Sequence, residues 1–381
     1  MDYFLTEEQI RLKETIRKFA EDKIKPVRRE LDEKSLFPRE ILKEMAKLDL
    51  FRLFVPEEYG GIGLSILNMC LAVEEVARID AGVAVSYAVV GLGAIPIILK
   101  GNEEQKKKYL PLMAEGKLYG AFALTEPEAG SDAGNVKTTA KLEGDHYIIN
   151  GSKKFITNGG EADVYIVIAS TNPTKGVRGL SAFIVEKGTP GLIFGKAEDK
   201  MGIRASVQRE LYFDDMKVPR ENLLGREGEG FRIAMMTLDR SRPIIGAQAV
   251  GIAQGAMEEA VKYAKTRVQF GEPIISFQAI QFMLADMAIQ IEAARSLVYS
   301  VARFADSGVR SFSKEAAMAK AFASDVAMKV TTDAVQVFGG YGYMKDYPVE
   351  KYMRDAKITQ IYEGTNQIQR LVVARALMRE Y

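Results

Sequence analysis

Hydrophobic residues recur at helical spacing through the first third of the chain. Thr6 and Gln9 fit a capping box, in which each side chain hydrogen-bonds the backbone of the other residue at the start of a helix. After them, Ile10, Ile16 and Phe19 lie on one face of a helix whose other face is charged. The pattern predicts further helices from residues 37–40, over residues 67–79 and over residues 103–114, and a loop at residues 56–63.

The longest run without a charged residue covers residues 81–99. Its length alone would suit a membrane-spanning helix. However, the run contains three glycines and Pro96, and Glu74, Glu75 and Arg78 lie just before it. We therefore interpret it as a buried helix and turn in a large core, and we predict no membrane span.

The pattern changes after about Tyr119. Short runs rich in β-branched and aromatic residues cover residues 146–150, 164–168, 180–185 and 210–213. Turn-forming residues separate them at positions 150–151, 158–160 and 189–191. This spacing predicts a compact antiparallel sheet or barrel, because parallel βαβ units would need helices between the strands.

Helical spacing returns from about Phe231 and continues to the end of the chain. The long segments 246–267, 277–304 and 313–337 are rich in alanine and methionine, and small residues let helices approach closely. The predicted fold is therefore mainly α with a central β domain. We predict an N-terminal helical domain over residues 1–118, a middle β-barrel or sheet domain over residues 119–226, and a C-terminal helical bundle over residues 227–381.

Composition argues against several classes of site. Lys and Arg number 52 and Asp and Glu 51, so the net charge gives no general attraction to nucleic acid or to an anionic membrane. With one cysteine, Cys70, and one histidine, His146, the chain offers no internal disulfide, no Cys- or His-based metal site and no Ser-His-Asp triad. His146 is predicted to be an ordinary strand residue.

The sequence also lacks the usual signals for export and for nucleotide binding. The N-terminal segment has no basic region followed by an apolar one, so we predict no secretory signal and a cytoplasmic enzyme. No G-x-G-x-x-G motif follows a predicted strand, and no Walker loop is present. A nucleotide would therefore bind without a Rossmann unit.

A single carboxylate near the C-terminus is unusually placed. Residues 361–367 read I-Y-E-G-T-N-Q and set Glu363 between an aromatic residue and a glycine. One explanation is a helix that ends at Gly364 with an exposed acid. The other is a base held in a dry pocket, where desolvation would raise its pKa above the reference value of about 4.3. These seven residues alone leave both explanations open.

Three longer stretches resemble the acyl-CoA dehydrogenase family. They are A-F-A-L-T-E-P-E-A-G-S-D at residues 121–132, Q-V-F-G-G-Y-G-Y at residues 336–343, and Y-P-V-E-K-Y-M-R-D-A at residues 347–356. The third stretch runs on into I-Y-E-G-T-N-Q and then I-Q-R. Together with the helix–sheet–helix order, the resemblance covers nearly the whole chain. Its C-terminal part is most similar to the short- and medium-chain straight-chain enzymes of the family.

The resemblance implies a cofactor, a reaction and partners. We expect an FAD flavoprotein that converts an acyl-CoA thioester to the trans-2-enoyl-CoA, as in fatty acid β-oxidation. The resemblance further implies a homotetramer that passes electrons to electron-transfer flavoprotein.

The resemblance assigns Glu363 as the catalytic base for the α-proton, with flavin N5 as the hydride acceptor. Because the α-proton of a thioester is weakly acidic, a carboxylate whose pKa is raised by apolar neighbours such as Ile361 and Tyr362 is a better base. Gly364 lets the backbone approach the thioester, and the N–H of Glu363 is expected to polarise its carbonyl. A minority of the family carries the base on an earlier helix, where this chain has Ser241, so Glu363 alone fits either pattern.

The resemblance also assigns a flavin site. Thr125 is expected at the pyrimidine side of the ring, Thr157 at flavin N5, and Arg267 at the diphosphate, partly from a neighbouring subunit. Phe155 stands where the family usually has tryptophan, so stacking is expected without an indole N–H. The expected cofactor-binding residues are Phe122, Leu124, Thr125, Gly130, Ser131, Phe155, Ile156, Thr157, Arg267, Gln269, Phe270, Gln278, Gln336, Val337, Phe338, Gly339, Gly340, Thr365, Asn366 and Gln367.

Structural alternatives exist for several of these assignments. An ordinary β-turn would explain Gly130, a surface salt bridge would explain Arg267, and a helix C-cap would explain Gly339. Asp239 and Arg242 could equally be a solvated ion pair on a helix. The expected substrate-binding residues are Ser131, Asp239, Arg242 and Gly364.

Two other functions share most of these features. An acyl-CoA oxidase performs the same half-reaction but is usually much longer, and a non-catalytic acyl-CoA or flavin-binding scaffold would not need Glu363. The acyl group is left open between linear short or medium, branched and alicyclic chains. A dicarboxylyl substrate is disfavoured, because no arginine lies near Val83 and Ala84.

Overall fold

The computed structural model describes residues 3–63 and 65–381. Its N-terminal part is helical, as predicted. Thr6 Oγ1 accepts a hydrogen bond from Gln9 N at 3.2 Å and Gln9 Oε1 accepts one from Thr6 N at 3.1 Å, which confirms the capping box. The predicted loop at residues 56–63 contains one 3₁₀ turn, Glu57–Tyr59. The helices are α1 (Glu7–Phe19), α2 (Arg28–Lys34), α3 (Arg39–Lys47), α4 (Ile66–Ala77), α5 (Ala81–Lys100) and α6 (Glu103–Ala114).

Helix α5 is the one helix of the described residues that is long and apolar enough to cross a membrane by length and composition. Of its most apolar stretch, 83% is buried inside the protein, which supports the interpretation as a core helix. The predicted turn within it is wrong, because the helix continues through Pro96 to Lys100. A Cβ on Gly93 would lie 2.8 Å from Ala121 N, so this glycine lets α5 pack directly on the backbone of the first strand.

The middle of the chain forms one eight-stranded sheet. Its strands are β1 (Gly120–Ala123), β2 (Thr139–Glu143), β3 (His146–Thr157), β4 (Val164–Ser170), β5 (Leu180–Glu186), β6 (Leu192–Ala197), β7 (Gln208–Pro219) and β8 (Leu223–Leu224). The order is β6-β7-β3-β2-β4-β5-β8, and β1 pairs with β4. Pairing is antiparallel, as predicted, except where β1 and β2 run parallel to β4. The four predicted runs lie in β3, β4, β5 and β7, and His146 is a strand residue.

The predicted turn at residues 150–151 is wrong. Gly151 lies inside β3, at a shift in the pairing register with β7 between Ile149 and Gly151. Its φ is 140°, and a Cβ there would lie 2.7 Å from Thr138 Cα. The glycine therefore serves a β-bulge and a close backbone approach, which give the same sequence signal as a hairpin turn.

The C-terminal part is a helical bundle, as predicted. Helix α7 begins well before the predicted residue 246 and contains Pro243, whose missing N–H weakens the sequence signal for a continuous helix. The elements are α7 (Gly230–Thr266), β9 (Val268–Gln269), β10 (Glu272–Pro273), α8 (Gln278–Asp306), α9 (Ser313–Phe338), α10 (Val349–Thr359) and α11 (Asn366–Glu380).

A buried ionic cluster joins the bundle to the other two parts. Lys351 on α10 has its Nζ 2.9 Å from Asp80 Oδ2 and 2.6 Å from Asp355 Oδ2. Asp80 caps the N-terminus of α5 through Val83 N. Asp355 accepts a hydrogen bond from Ile203 N at 2.6 Å, in the loop between β6 and β7. The cluster therefore fixes α10, which leads to Glu363, against both α5 and the sheet.

Candidate active site

Glu363 lies in a tight turn between α10 and α11. Its φ is 53° and that of Gly364 is 93°, so two consecutive residues are left-handed. Gln369 Nε2 holds the turn by donating to Glu363 O at 3.0 Å and to Gly364 O at 2.9 Å. A Cβ on Gly364 would lie 2.6 Å from the same Nε2, so a side chain at Gly364 would displace the glutamine.

The Glu363 carboxylate is half-buried and hydrogen-bonded, unlike a freely solvated acid at a helix end. Ser241 Oγ donates a hydrogen bond to Glu363 Oε2. Burial raises the pKa of Glu363 above its ordinary value, while the Ser241 hydrogen bond and the charges of Arg242 and Lys320 oppose that rise. The surroundings therefore favour a stronger base than a surface glutamate.

Ser241 and Arg242 reach the turn from α7. Both are buried, and Arg242 Nε points to Glu363 O at 3.5 Å. Arg242 Nη1 also lies 2.8 Å from Asp239 Oδ1, and Asp239 accepts a further hydrogen bond from Ser313. The predicted substrate residues Asp239 and Arg242 thus form a largely buried pair behind the turn, not a solvated one.

Tyr362 ties the turn to α5 through a residue that the sequence pattern does not single out. The Tyr362 hydroxyl donates to Gln248 Oε1, and Gln248 Nε2 donates to Ala81 O at 3.1 Å. Gln248 is buried in α7. Its sequence signal is a single amide in the run I-I-G-A-Q-A-V-G-I-A, which is otherwise apolar and small.

Lys320 is a second residue that the sequence pattern does not single out. It is buried in α9, and its Nζ donates to Gly364 O at 2.8 Å and to Asn366 Oδ1 at 3.0 Å. Its sequence signal is a lone charge in the run A-A-M-A-K-A-F-A. Five side chains, from Ser241, Arg242, Gln248, Lys320 and Gln369, therefore contact the six-residue turn at residues 360–365.

The three predicted flavin contacts after the turn occupy different positions. Thr365 caps α11, where its Oγ1 accepts a hydrogen bond from Ile368 N at 3.2 Å. The Asn366 side chain is buried and donates to Ser324 Oγ at 2.8 Å and Asp325 Oδ1 at 2.8 Å, so its amide is engaged inside the protein. Gln367 is exposed.

Two predicted flavin stretches meet beside the sheet. Lys154 N donates to Thr125 O at 2.8 Å, and Lys153 Nζ donates to Leu124 O at 2.9 Å. Lys153 is fully buried, and its Nζ lies 2.7 Å from Glu126 Oε1. Glu126 also accepts from two backbone N–H groups, those of residues 137 and 138. The structure thus brings the segment that contains Phe122, Leu124 and Thr125 next to the end of β3.

This region offers surfaces suited to a flat aromatic ring. Phe155 has a left-handed backbone, with a φ of 59°, and is 61% exposed. Its apolar ring therefore faces solvent. Ile156 lies in the core, which leaves only its backbone for contact. Thr157 Oγ1 accepts from Gln208 Nε2 at 3.1 Å. Gly130 and Ser131 are exposed, and a Cβ on Gly130 would meet nothing within 4 Å.

A cleft of about 560 Å³ gathers most of the remaining predicted residues. Arg267 stacks on Tyr341 with its guanidinium carbon 5.3 Å from the ring centroid, and in the described part of the chain it makes no ion pair. Tyr263 and Phe338 stack with centroids 4.0 Å apart. The cleft is lined by Tyr263, Arg267, Gln269, Ile274, Val337, Phe338, Gly339, Gly340, Tyr341 and Met344.

The chemistry of this cleft fits the nucleotide half of FAD. An Arg without a carboxylate partner suits a diphosphate, stacked aromatic rings suit a purine, and a Cβ on Gly339 or Gly340 would meet nothing within 4 Å. Phe270, Gln278 and Gln336 do not line the cleft but are exposed.

The Glu363 turn and the cleft lie far apart within one chain. Lys320 touches the Glu363 turn, whereas Phe338 lines the cleft, and both are on the continuous helix α9. At 1.5 Å per residue, they are about 27 Å apart along the helix axis. A single chain therefore presents the base at one end of α9 and the nucleotide-like cleft at the other.

Family models of the acyl-CoA dehydrogenases match most of the chain. The N-terminal domain model matches residues 6–117, the middle domain model residues 121–216 and the C-terminal domain model residues 228–378.

Curated relatives match along the full length. The chain is 53% identical to "Acyl-CoA dehydrogenase" of Bacillus subtilis, covering 98% of this chain and 99% of the relative. It is 53% identical to "Acyl-CoA dehydrogenase, short-chain specific" of Megasphaera elsdenii, covering all of both chains. It is also 50% identical to "Acryloyl-CoA reductase (NADH)" of Anaerotignum propionicum, covering 100% of this chain and 96% of that protein.

Solved structures show the same fold. The butyryl-CoA dehydrogenase of Megasphaera elsdenii matches with a TM-score of 0.97 and 52% identity over all of both chains. A chain from work on the electron transferring flavoprotein of Acidaminococcus fermentans matches with a TM-score of 0.97 and 56% identity, again over all of both chains. A Bacillus anthracis acyl-CoA dehydrogenase complexed with FAD matches at 0.94 and 40%, covering 100% of this chain and 68% of that one. The chain belongs to the acyl-CoA dehydrogenase family, whose members are FAD-dependent oxidoreductases.

Proposed function

We propose that the protein converts a short-chain acyl-CoA to the trans-2-enoyl-CoA, with Glu363 as the base for the α-proton. The observation that carries this proposal is the Glu363 turn, where a half-buried carboxylate with a raised pKa accepts a hydrogen bond from Ser241. Gln369 and Lys320 hold the backbone of the same turn. When bound, FAD supplies the hydride acceptor for the β-carbon. The residues Thr125, Phe155 and Thr157 would hold its ring, and Arg267 with the Gly339–Gly340 backbone would hold its nucleotide half.

The protein's own contribution begins with the proton. Glu363 takes the α-proton onto its carboxylate, and the Ser241 hydroxyl fixes the orientation of that carboxylate by donating to Oε2. Because burial raises the pKa of Glu363, the carboxylate binds the proton more tightly than a surface glutamate would. Deprotonation of a weakly acidic carbon then becomes less unfavourable.

A backbone donor at the turn supports activation of the thioester. In the described part of the chain, no group accepts a hydrogen bond from the N–H of Glu363. A free donor in a partly buried turn can bind the thioester carbonyl and stabilise the negative charge that develops when the α-proton leaves. Glu363 is left-handed and lies between α10 and α11, so its N–H takes no part in the hydrogen bonding of either helix.

We propose a short acyl group because a hydrogen-bonded bridge lies behind the base turn. Tyr362, Gln248 and Ala81 O form a continuous hydrogen-bonded link between the base turn, α7 and α5. These polar side chains fill the space between the base turn and α5. A long apolar acyl chain therefore has less room there than it would have if small residues stood in their place. The names of the Megasphaera elsdenii relatives, short-chain specific and butyryl-CoA dehydrogenase, agree with this proposal.

Assembly and electron transfer complete the proposal. The cleft lined by Arg267, which we call the Arg267 cleft, and the base lie at opposite ends of α9. We therefore propose a homotetramer in which the Arg267 cleft of one subunit binds the nucleotide half of the FAD of another. Two large exposed apolar side chains, Phe270 next to the cleft residue Gln269 and Phe282 on α8, are suited to burial between subunits. We propose electron-transfer flavoprotein as the acceptor and the cytoplasm as the location. The Acidaminococcus fermentans structure supports the choice of acceptor.

The decisive experiment is anaerobic mixing of the yellow flavoprotein with a panel of acyl-CoA thioesters. Rapid bleaching of the flavin absorbance by butyryl-CoA, stable on brief exposure to air, is the expected result. Bleaching that air reverses at once would identify an oxidase. A flavin that no acyl-CoA bleaches would identify a binding scaffold and refute the proposal.

A further inference from the structure

Lys320 holds the base turn, but the mechanism above gives no role to its charge. It is fully buried, yet in the part of the chain that the structure describes its Nζ has no carboxylate within ion-pair distance. A buried ammonium without an ionic partner is costly, so stability alone does not explain a lysine in this apolar helix.

The two hydrogen bonds of Lys320 both fix the base turn. One goes to Gly364 O at 2.8 Å, directly after Glu363, and the other to Asn366 Oδ1 at 3.0 Å, at the start of α11. Gln369 binds the turn from α11 and Arg242 from α7, so Lys320 is the contact from α9. Three helices therefore hold the two left-handed residues in place.

Charged groups from three elements face Lys320. Glu363 faces Lys320 from the turn, Arg242 faces it from α7, and Asp325 faces it from α9 itself. Asp325 is in turn paired with Arg370 of α11 at 2.7 Å. Burial lowers the pKa of Lys320 to about 7; Glu363 and Asp325 oppose that fall and Arg242 adds to it. In the other direction, the Lys320 charge lowers the pKa of Glu363 against the effect of burial.

We propose that Lys320 is a positioning residue for the dehydrogenation, which clamps the Glu363–Gly364 turn and keeps the Glu363 carboxylate ionised. This proposal rests on the proposed role of Glu363 as the base. Without the ammonium, the protonated acid is favoured and the pKa of Glu363 rises. Because only the deprotonated base is active, the acid limb of the rate profile then moves to higher pH.

The test measures anaerobic single-turnover flavin reduction by butyryl-CoA across pH in flavin-loaded Lys320→Met, Lys320→Gln and Lys320→Arg. For Lys320→Met, we expect the limiting rate at neutral pH to fall about 10-fold and the acid limb to move up by about one pH unit. Lys320→Gln should show the same shift but recover part of the rate at high pH, because its amide still donates a hydrogen bond. Lys320→Arg keeps the charge and should keep the parent acid limb.

Other readouts separate positioning from general damage. FAD content should equal that of the parent, and the substrate concentration for half-maximal reduction should stay within about twofold, because Lys320 contacts the turn and not the ligand. The control Lys34→Met removes the same charge from an exposed pair with Glu30 on α2 and should leave the whole profile unchanged.

Two outcomes would overturn the proposal. The first is a Lys320→Met enzyme with the parent profile, and the second is a lower rate with an unshifted acid limb in both the Met and Gln variants, which would assign a purely structural role. If Lys320→Met does not fold, Lys320→Gln carries the same test. Glu363→Gln is measured alongside. Flavin reduction at the parent rate in Glu363→Gln refutes the role of Glu363 as the base. An inactive Glu363→Gln together with a normal Lys320→Met refutes only the role proposed for Lys320.

Discussion

Glu363 combines a strained backbone with a half-buried, hydrogen-bonded carboxylate. A left-handed conformation costs a residue with a side chain roughly 1–2 kcal/mol. The contacts from Gln369, Arg242 and Lys320 hold it there nonetheless. Strain that several neighbours enforce is typical of functional sites, and it orients both the carboxylate and the free N–H of the same residue.

The base assignment predicts the effect of two substitutions. Glu363→Gln keeps the shape of the side chain but removes the basic carboxylate, so we expect FAD and acyl-CoA binding to persist. Flavin reduction should fall by roughly 10²–10⁴-fold or more. Because Ser241 Oγ already reaches the Glu363 carboxylate, adding Ser241→Glu to that variant should restore part of the rate. Anaerobic stopped-flow absorbance measures both effects.

Two results would contradict this assignment. Reduction of the Glu363→Gln flavin at nearly the parent rate would place the base elsewhere. Loss of FAD from the variant would show that Glu363 supports the cofactor site and would leave the rate comparison without meaning for catalysis.

The Gln248 bridge predicts a change in chain-length preference. Gln248→Gly removes the side chain that links Tyr362 to Ala81 O, which opens space behind the base turn. We expect kcat/KM for octanoyl-CoA relative to butyryl-CoA to rise about 10-fold, the low end of what one methylene is worth in an apolar pocket. The matched control is Gln254→Gly on the same helix, whose side chain binds Glu258 and Arg295. An unchanged ratio in Gln248→Gly would show that the bridge does not limit the acyl chain.

Among the elements, the segment after β1 depends on one buried ion pair with β3. Lys153 has no exposed surface, and burial lowers its pKa to about 8 despite the Glu126 carboxylate. Glu126 accepts hydrogen bonds from Lys153 and from two backbone N–H groups. The pair therefore sets the position of Thr125 relative to Phe155 and Thr157.

Removal of one partner should be costly. Glu126→Gln leaves Lys153 buried without its carboxylate, so we expect the free energy of unfolding to fall by about 3–5 kcal/mol. FAD retention should fall with it, because the segment loses its anchor. The matched control, Glu143→Gln, removes the partner of exposed Lys141 and should leave the free energy of unfolding nearly unchanged. Denaturant unfolding and flavin absorbance measure both, and a Glu126→Gln protein with parent stability would contradict the role given to the pair.

Individual elements differ in how well their sequence predicts them. The capping box at Thr6 and the continuously apolar strands β4 and β5 depend on local signals, and the structure confirms them. Strand β2 reads T-A-K-L-E and is mostly exposed, so it carries no apolar run and exists because β3 and β4 offer hydrogen bonds. Helix α5 continues through Pro96 because its surroundings bury it on nearly all sides.

At the scale of the whole molecule, the separation of the base turn from the Arg267 cleft along α9 predicts dependence on assembly. Arg267→Ala should lower FAD retention while leaving the fold of each chain intact, because its guanidinium has no ionic partner within the described chain to lose. Flavin absorbance combined with light scattering measures occupancy against oligomer mass. The control Arg11→Ala removes an exposed arginine paired with Glu7 and should retain its flavin.

The assembly proposal has a direct counter-result. A parent protein that is monomeric, saturated with flavin and active would show that one chain holds the whole cofactor. Dissociation of the oligomer by dilution, with FAD loss following the mass change, is the expected behaviour.

The sequence by itself determined the helix–sheet–helix order, the core nature of α5 and the family. Each depends on local periodicity or on motifs of consecutive residues, such as I-Y-E-G-T-N-Q, that remain readable without a fold. It also supplied Glu363 as the candidate base, since only that carboxylate fits the motif. The domain boundaries and the individual site assignments stay predictions.

Only the tertiary structure decided what surrounds Glu363. Ser241, Gln248 and Lys320 come from helices 43 to 122 residues away in sequence, and their polar atoms meet at the turn because α7, α9 and α10 pack together. The lone charge in A-A-M-A-K-A-F-A does not by itself show that Lys320 contacts the base turn, and no local pattern distinguishes Gly151 in a bulge from a turn glycine. Burial and hydrogen-bond partners are properties of the packed chain, so the raised pKa of Glu363 and the lowered pKa of Lys320 arise only once the helices are in place.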